Sequence, residues 1–247
     1  MDLNGRSAIV TGGARGIGLR AVAALLERGA NVTMTATTDE GLAKARERLG
    51  NPEALTTVAS DLTTVAGCQA VAQHALEAFG AIDVLFTNAG LYSESSVEET
   101  TEEFWNKVVD SNLKSTFFTI QAALPALREA KGVIVTMASY NGVDGIRGNV
   151  AVYGAAKAGV INMTRALALD LAPDVRVNTI APGFIETETL RARDDAQSMI
   201  DMLSEMTPVG RIGTGDEVAH TLVYAIENDF VNGVTLIIDG GRSAGGR

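Results

Sequence analysis

The chain has 247 residues, 46% of them hydrophobic, and a formal net charge of −10, so it is long enough to bury one full core. The acidic balance argues against nucleic acid as a partner, because nucleic acid selects basic surfaces, and no apolar run approaches the roughly 20 residues that span a bilayer. Cys68 is the only cysteine and Met1-Asp-Leu-Asn4 leads into no apolar stretch, so the expected location is cytoplasmic.

In chain order, strand-like runs are expected at 7–11, 31–36, 55–60, 84–87, 133–137, 176–180 and 235–238. They are rich in Val, Ile and Thr without clear alternation, the pattern of a parallel sheet covered on both faces. Helical patterns fall between them at 16–28, 39–49, 64–79, 101–110, 112–130, 152–172 and 215–227. No linker or repeat divides the chain, so a single α/β domain over residues 1–247 is expected, with a doubly wound parallel sheet. Ligands of such sheets bind outside the carboxyl ends of the strands, where Gly12, Asn88, Ser139 and Pro182 fall. His74 and His220 lie far apart on helical patterns and make no metal cluster.

The first strand runs into Thr11-Gly-Gly-Ala-Arg-Gly-Ile-Gly18 and then a helix with Val22, Leu25 and Leu26 on one stripe. Glycines at 12, 16 and 18 allow a sharp turn and let a pyrophosphate approach the helix N-terminus, where free amides favour anions. A purely structural turn is the alternative, but the strand–loop–helix context favours the nucleotide.

Tyr153 and Lys157 are four apart, which places them on one face of a helix about one turn apart. A phenol holds its proton until about pH 10, and a fixed ammonium beside it favours the phenolate. Tyr153 is therefore a candidate general acid or base.

Taken together, these runs resemble a short-chain dehydrogenase/reductase over essentially the whole chain. The resemblance is carried by Thr11–Gly18, Asp61-Leu62, Asn88-Ala-Gly90, Asn112, Ser139, Tyr153-x-x-x-Lys157, Pro182-Gly183, Thr187 and Asp239-Gly-Gly241. Met34–Thr37 and Ala181-Pro-Gly-Phe-Ile-Glu-Thr187 are similar to bacterial 3-oxoacyl-[acyl-carrier-protein] reductases in particular. The family implies a Rossmann-type sheet of about seven strands. It implies that Tyr153 exchanges a proton with the substrate oxygen, that Ser139 fixes this oxygen, and that Lys157 holds the nicotinamide ribose and lowers the tyrosine pKa. Asn112 would support a water relay toward Lys157; taken alone it reads equally as a helix N-cap. The implied cofactor site is Gly12, Arg15, Gly16, Ile17, Gly18, Thr37, Asp61, Leu62, Asn88, Ala89, Gly90, Tyr153, Lys157, Pro182, Gly183, Ile185 and Thr187. Two departures stand out. The Ser139-to-Tyr153 gap is one residue longer than the usual spacing, so the loop 140–152 is expected to bulge, and Thr87 replaces the first Asn of Asn-Asn-Ala-Gly.

Cofactor choice turns on the end of the second strand, where NAD-binding members carry an acid for the ribose 2′-hydroxyl. Thr37 and Thr38 stand there, with no carboxylate until Asp39, and Arg15 can pair with a 2′-phosphate. NADP is expected over NAD. Arg15 as an ordinary solvent-exposed loop residue is the alternative.

A substrate lid is expected over 186–211, with Met199, Met202, Leu203 and Met206 as a buried or pocket-covering face and Glu186, Glu188, Asp194 and Asp195 as solvated charges. Leu91–Glu94 and 143–149 are expected at the substrate mouth. The leading expectation is an NADP(H)-dependent oxidoreductase of small ketones or secondary alcohols. The alternative is a 3-oxoacyl-[acyl-carrier-protein] reductase, whose acidic carrier would need basic residues such as Arg128, Lys131 and Arg165; the net charge of −10 disfavours it. A catalytically inactive dinucleotide sensor is disfavoured by the presence of both Tyr153 and Lys157. The family also implies a homotetramer. Phe117, Phe118, Ile120 and Leu124, with Val160, Met163, Leu167 and Leu171, offer surplus apolar surface for it.

Overall fold

A computed structural model describes residues 1–145 and 148–245. Its main sheet has seven parallel strands in the order β3-β2-β1-β4-β5-β6-β9. These are β1 (Ser7–Val10), β2 (Asn31–Ala36), β3 (Leu55–Ala59), β4 (Val84–Thr87), β5 (Val133–Met137), β6 (Arg176–Pro182) and β9 (Thr235–Ile238). Every run expected as a strand is one, to within two residues at its ends.

The absence of strict alternation follows from burial on both faces. Ala8 and Val10 point into one layer with Val22 and Leu25 of α1 (Gly16–Glu27) and Val218 and Leu222 of α9 (Gly215–Glu227). Ile9 between them points into the other, with Val71 and Ala75 of α3 (Val65–Phe79) and Ile120, Ala123 and Leu127 of α5 (Ser115–Glu129). Either face needs apolar residues, so the polar half of the period-two pattern disappears.

Threonine caps fix the starts of several helices. Thr38 accepts from the Gly41 amide at 3.2 Å to open α2 (Asp39–Arg48). Thr214 forms a capping box with Glu217 at the start of α9.

Two expectations need correction. The helices expected at 101–110 and 112–130 form one continuous element: α4 (Glu102–Val109) passes through a π-helical turn, Asp110–Lys114, directly into α5. Asn112 lies inside that turn and is fully buried, so it is not an N-cap. The segment expected as a lid, 186–211, folds as α7 (Glu188–Arg191) and α8 (Ala196–Glu205), flanked by a small parallel pair, β7 (Ile185–Glu186) with β8 (Gly213–Thr214). Of the face expected to be buried or pocket-covering, Met199 and Leu203 are half-buried and Met202 and Met206 are each 47% exposed; Ile200 is the residue that α8 buries. Of the expected mouth residues, Ile146 and Arg147 lie outside the described residues.

Candidate functional site

Connections leave β1 and β4 in opposite directions, and the loops that follow these two strands open a cleft of about 650 Å³. Its wall gathers Gly12, Arg15, Gly16, Ile17 and Gly18 after β1, Thr37 after β2, Asp61 and Leu62 after β3, and Asn88, Ala89 and Gly90 after β4, with Thr187 from the lid. It also takes in Thr38, Ser60, Ser111, Ser115 and Thr189, hydroxyl residues whose only signal in the sequence is adjacency to these positions. Pro182, Gly183 and Ile185 stand outside the wall. The Gly183 amide donates to the Ile238 carbonyl at 3.1 Å, and Ile185 packs on the core beside β8.

The glycine loop fits a phosphate group. Gly16 has φ +54°, and a Cβ on Gly18 would lie 2.2 Å from the Gly12 carbonyl oxygen, so side chains are excluded at both positions. The Asn88 side-chain amide donates to the carbonyls of Thr11 (3.0 Å) and Gly12 (3.1 Å), and the Ala89 amide donates to the Thr11 hydroxyl at 2.9 Å. These bonds tie the loop to β4 and fix its curvature. Arg15, the N-cap residue of α1, makes no side-chain cap, which leaves the first amides of the helix facing outward.

An anion already stands there. The Glu188 carboxylate accepts from the Gly16 amide at 2.9 Å and from Arg48 Nη2 at 2.9 Å. Glu188 is exposed, as expected of a solvated charge, and its bond to Arg48, backed by the Gly16 amide, holds its pKa below the usual carboxylate range. In the same wall, Thr37 after β2 and Arg15 beside Gly16 are exposed, and Arg15 has no ion-pair partner among the described residues. Asp61 accepts from the Thr63 hydroxyl (2.6 Å) and amide (2.9 Å), which keeps it ionised and fixed in direction.

Deeper in, Gly90 covers two buried polar groups. A Cβ on it would lie 2.5 Å from Asn112 Oδ1 and 3.3 Å from Lys157 Nζ. Asn112 donates to the carbonyls of Leu91 and Val108, both at 2.9 Å, and Lys157 donates to the Met137 carbonyl at 2.9 Å. Lys157 and Tyr153 both project from α6 (Ala151–Asp170), with the ammonium 5.7 Å from the phenol ring centroid. Ser139 follows β5 in extended backbone (φ −164°), 8% exposed, and its hydroxyl accepts from the Asn141 amide at 3.2 Å. The Tyr92 ring meets Tyr153 edge-on at 5.1 Å.

The electrostatics correct one expectation. Burial pushes Tyr153 up to about 12, with Ser139 pulling the other way, rather than lowering it. Lys157 is pushed down to about 8, also by burial. The lysine remains mostly protonated at pH 7, but desolvation of the phenolate outweighs its attraction in the protein alone.

Comparison with known proteins agrees with this architecture. The family model described as enoyl-(acyl carrier protein) reductase matches residues 12–243. The chain belongs to the short-chain dehydrogenase/reductase family, and it is accordingly an oxidoreductase that works on carbonyl or CH–OH groups with a nicotinamide cofactor. It is 36% identical over 246 residues to 3-oxoacyl-[acyl-carrier-protein] reductase FabG of Vibrio cholerae, covering 98% of each chain. It is 34% identical over 251 residues to an NADP-dependent (R)-specific alcohol dehydrogenase of Lentilactobacillus kefiri, again covering 98% of each. Among solved structures it matches a short-chain dehydrogenase/reductase of Brucella melitensis, with a TM-score of 0.88 at 33% identity over 98% of both chains.

Proposed function

We propose that the protein is an NADP(H)-dependent reductase of small ketones, running equally as a dehydrogenase of secondary alcohols. The observation that carries this is the placing of Asn112 and Lys157 directly behind Gly90 of the cleft wall, with Tyr153 beside Lys157 and Ser139 bonded to Tyr153, in a cleft whose glycine loop already holds a carboxylate on the Gly16 amide. When bound, the nicotinamide supplies or takes the hydride. Tyr153 gives its proton to the carbonyl oxygen, and a phenol pushed up to about 12 is in the protonated form that reduction needs. The Ser139 hydroxyl fixes the same oxygen. Lys157, held by Met137 O and crowded by Asn112 under Gly90, supplies the positive charge that eases Tyr153 toward the phenolate and reaches the ribose hydroxyls. Asn112 holds the backbone of Leu91 and Val108 around that proton path.

NADP is assigned because Thr37 adds no carboxylate at the ribose end and Arg15 is free to pair with a 2′-phosphate. Gly12, Gly16, Ile17 and Gly18 would take the pyrophosphate, and Asp61 and Leu62 the adenine edge. Asn88, Ala89 and Gly90 would wall the adenosine and ribose, and Pro182, Gly183, Ile185 and Thr187 the nicotinamide. The lid is 186–211, and the location is cytoplasmic; no helix of the described residues is long and apolar enough to cross a membrane.

The assembly is a homotetramer. Of the apolar residues expected at its contacts, Ile120, Val160 and Leu171 are spent inside the subunit, Phe118, Leu124, Met163 and Leu167 are half-buried, and Phe117 is exposed, as are Trp105, Tyr224, Phe230 and Ile237.

The reductases among the relatives favour a second reading, in which the substrate is a 3-oxoacyl thioester on a carrier protein. Arg128 and Lys131, however, close α5 just before β5 begins, at the end of the sheet opposite Ser139. Arg165 lies three turns along α6 from Tyr153, also away from the mouth. A screen of NADPH oxidation across ketones and acetoacetyl thioesters, with NADH in parallel, separates the readings. Turnover of thioesters alone would overturn the small-ketone assignment.

A further inference from the structure

One cation beside the site has no role in the chemistry above. Arg242 follows β9 in a short turn, Arg242–Gly245. Its guanidinium carbon lies 4.5 Å from the Phe184 ring centroid and 5.2 Å from that of Tyr140. Nη1 donates to the Met206 carbonyl at the end of α8, at 3.0 Å. No carboxylate lies within ion-pair distance of it among the described residues. The neighbouring acid, Asp239, is engaged with the amides of Gly241 (3.0 Å) and Ser243 (2.7 Å).

Tyr140 immediately follows Ser139 and is 4% exposed, and its ring meets Phe184 edge-on at 5.5 Å. Its hydroxyl is buried against Arg242 and has no acceptor for its own proton, and Arg242 Nε is buried beside it. A buried donor without an acceptor is costly, so this O–H calls for a ligand that accepts from it. Burial pushes Tyr140 up while Arg242 pulls it down, and Tyr140 in turn raises Tyr153, which places all three groups in one electrostatic environment. In a chain of net charge −10, a guanidinium set against two rings, with no counter-ion among the described residues, is a local exception. Its planar fork matches a carboxylate.

We propose that Arg242 and Tyr140 form an anion subsite, and that the substrates are oxo acids (or the corresponding hydroxy acids) rather than neutral ketones. The carboxylate accepts from the guanidinium and the Tyr140 hydroxyl while the keto oxygen is held at Ser139. Because Arg242 also bonds the lid at Met206, seating this carboxylate fixes the end of α8. The proposal rests on the ketone-reductase reading and narrows it.

The test compares a series of oxo acids, differing in the spacing of keto and carboxyl groups, with their own methyl esters, by NADPH oxidation. At least one acid should exceed its ester by roughly 10- to 100-fold in kcat/KM, the scale of one charge-assisted pair. Arg242→Met should collapse that acid-to-ester ratio, mainly through KM; Arg242→Lys should restore part of it. Tyr140→Phe should reduce the ratio a few-fold. Equal rates for acid and ester in the wild type, or an unchanged ratio in Arg242→Met, would overturn the subsite and leave Arg242 as a lid tie. In that outcome, reduction of the esters shows that the ketone-reductase reading itself still stands. Reduction of neither acids nor esters by protein that binds NADPH overturns both.

Discussion

Replacing Glu188 with glutamine should tighten NADPH binding, although it removes a charge-assisted bond from the folded protein. In the wild type the Glu188 carboxylate lies on the Gly16 amide at 2.9 Å and on Arg48 at 2.9 Å, so a dinucleotide phosphate must displace it. An anion at an exposed helix N-terminus contributes about 0.3–1 kcal/mol, and an exposed ion pair about 0.2–1 kcal/mol. Glutamine keeps an acceptor for Gly16 and loses only the charge. The released competition is then about 0.5–2 kcal/mol, or roughly a 2- to 30-fold lower Kd. The readout is quenching of Trp105 fluorescence or calorimetric titration with NADPH. Adenosine 2′-monophosphate, which lacks the pyrophosphate, is the control and should bind both forms alike. Arg48 keeps the Glu188 pKa low, so the competition persists across neutral pH and fades only on acidification through that lowered value. Weaker NADPH binding by the variant would refute displacement and make Glu188 part of the cofactor's own seat.

Tyr153→Phe keeps the ring and removes the transferable proton, so turnover should fall at least about 10²-fold with cofactor binding retained; near-normal turnover in steady-state kinetics would remove Tyr153 from its role. The rate of reduction should fall as pH rises through about 8, where Lys157 loses its proton, and a pH–rate profile of Lys157→Met should lack that limb. NADPH should be preferred over NADH by roughly one to two powers of ten in kcat/KM, about 1.4–2.8 kcal/mol. Thr37→Asp should reverse this and Arg15→Ala should weaken NADPH alone, as parallel kinetics with both cofactors will report. Light scattering at micromolar concentration should return four subunits, and a monomer mass would contradict the tetramer.

The parts of the fold legible in the sequence are those whose residues carry a repeating pattern. Apolar β-branched runs such as Val133–Met137 place the main strands, because burial on both faces leaves an unbroken signal. The cofactor wall was legible because the steric demand at Gly12, Gly16 and Gly18 admits one residue type. The β7–β8 pair was not, since two residues each hold no period. The π-turn was hidden because its bonding is set by the packing of Asn112 against Leu91 and Val108, not by local propensity. The spacing of Tyr153 and Lys157 gives their proximity but not their burial, and burial decides the direction of both pKa shifts. Glu188 and Arg242 were missed as site residues because each acts singly, through a contact distant in the chain.

The π-turn also resets the angular phase of the helix that carries it. In an unbroken α-helix each residue advances about 100°, so Trp105 and Phe117, twelve positions apart, would point about 120° away from each other. One residue absorbed by the wider turn subtracts about one such step, which brings the two exposed aromatics to within roughly 20° of a common direction. The residue that swings Asn112 inward toward Lys157 therefore also gathers Trp105 and Phe117 into a single outward stripe. Deleting Ser111 would undo both at once: Asn112 would turn away from Lys157, and Trp105 and Phe117 would diverge around the helix.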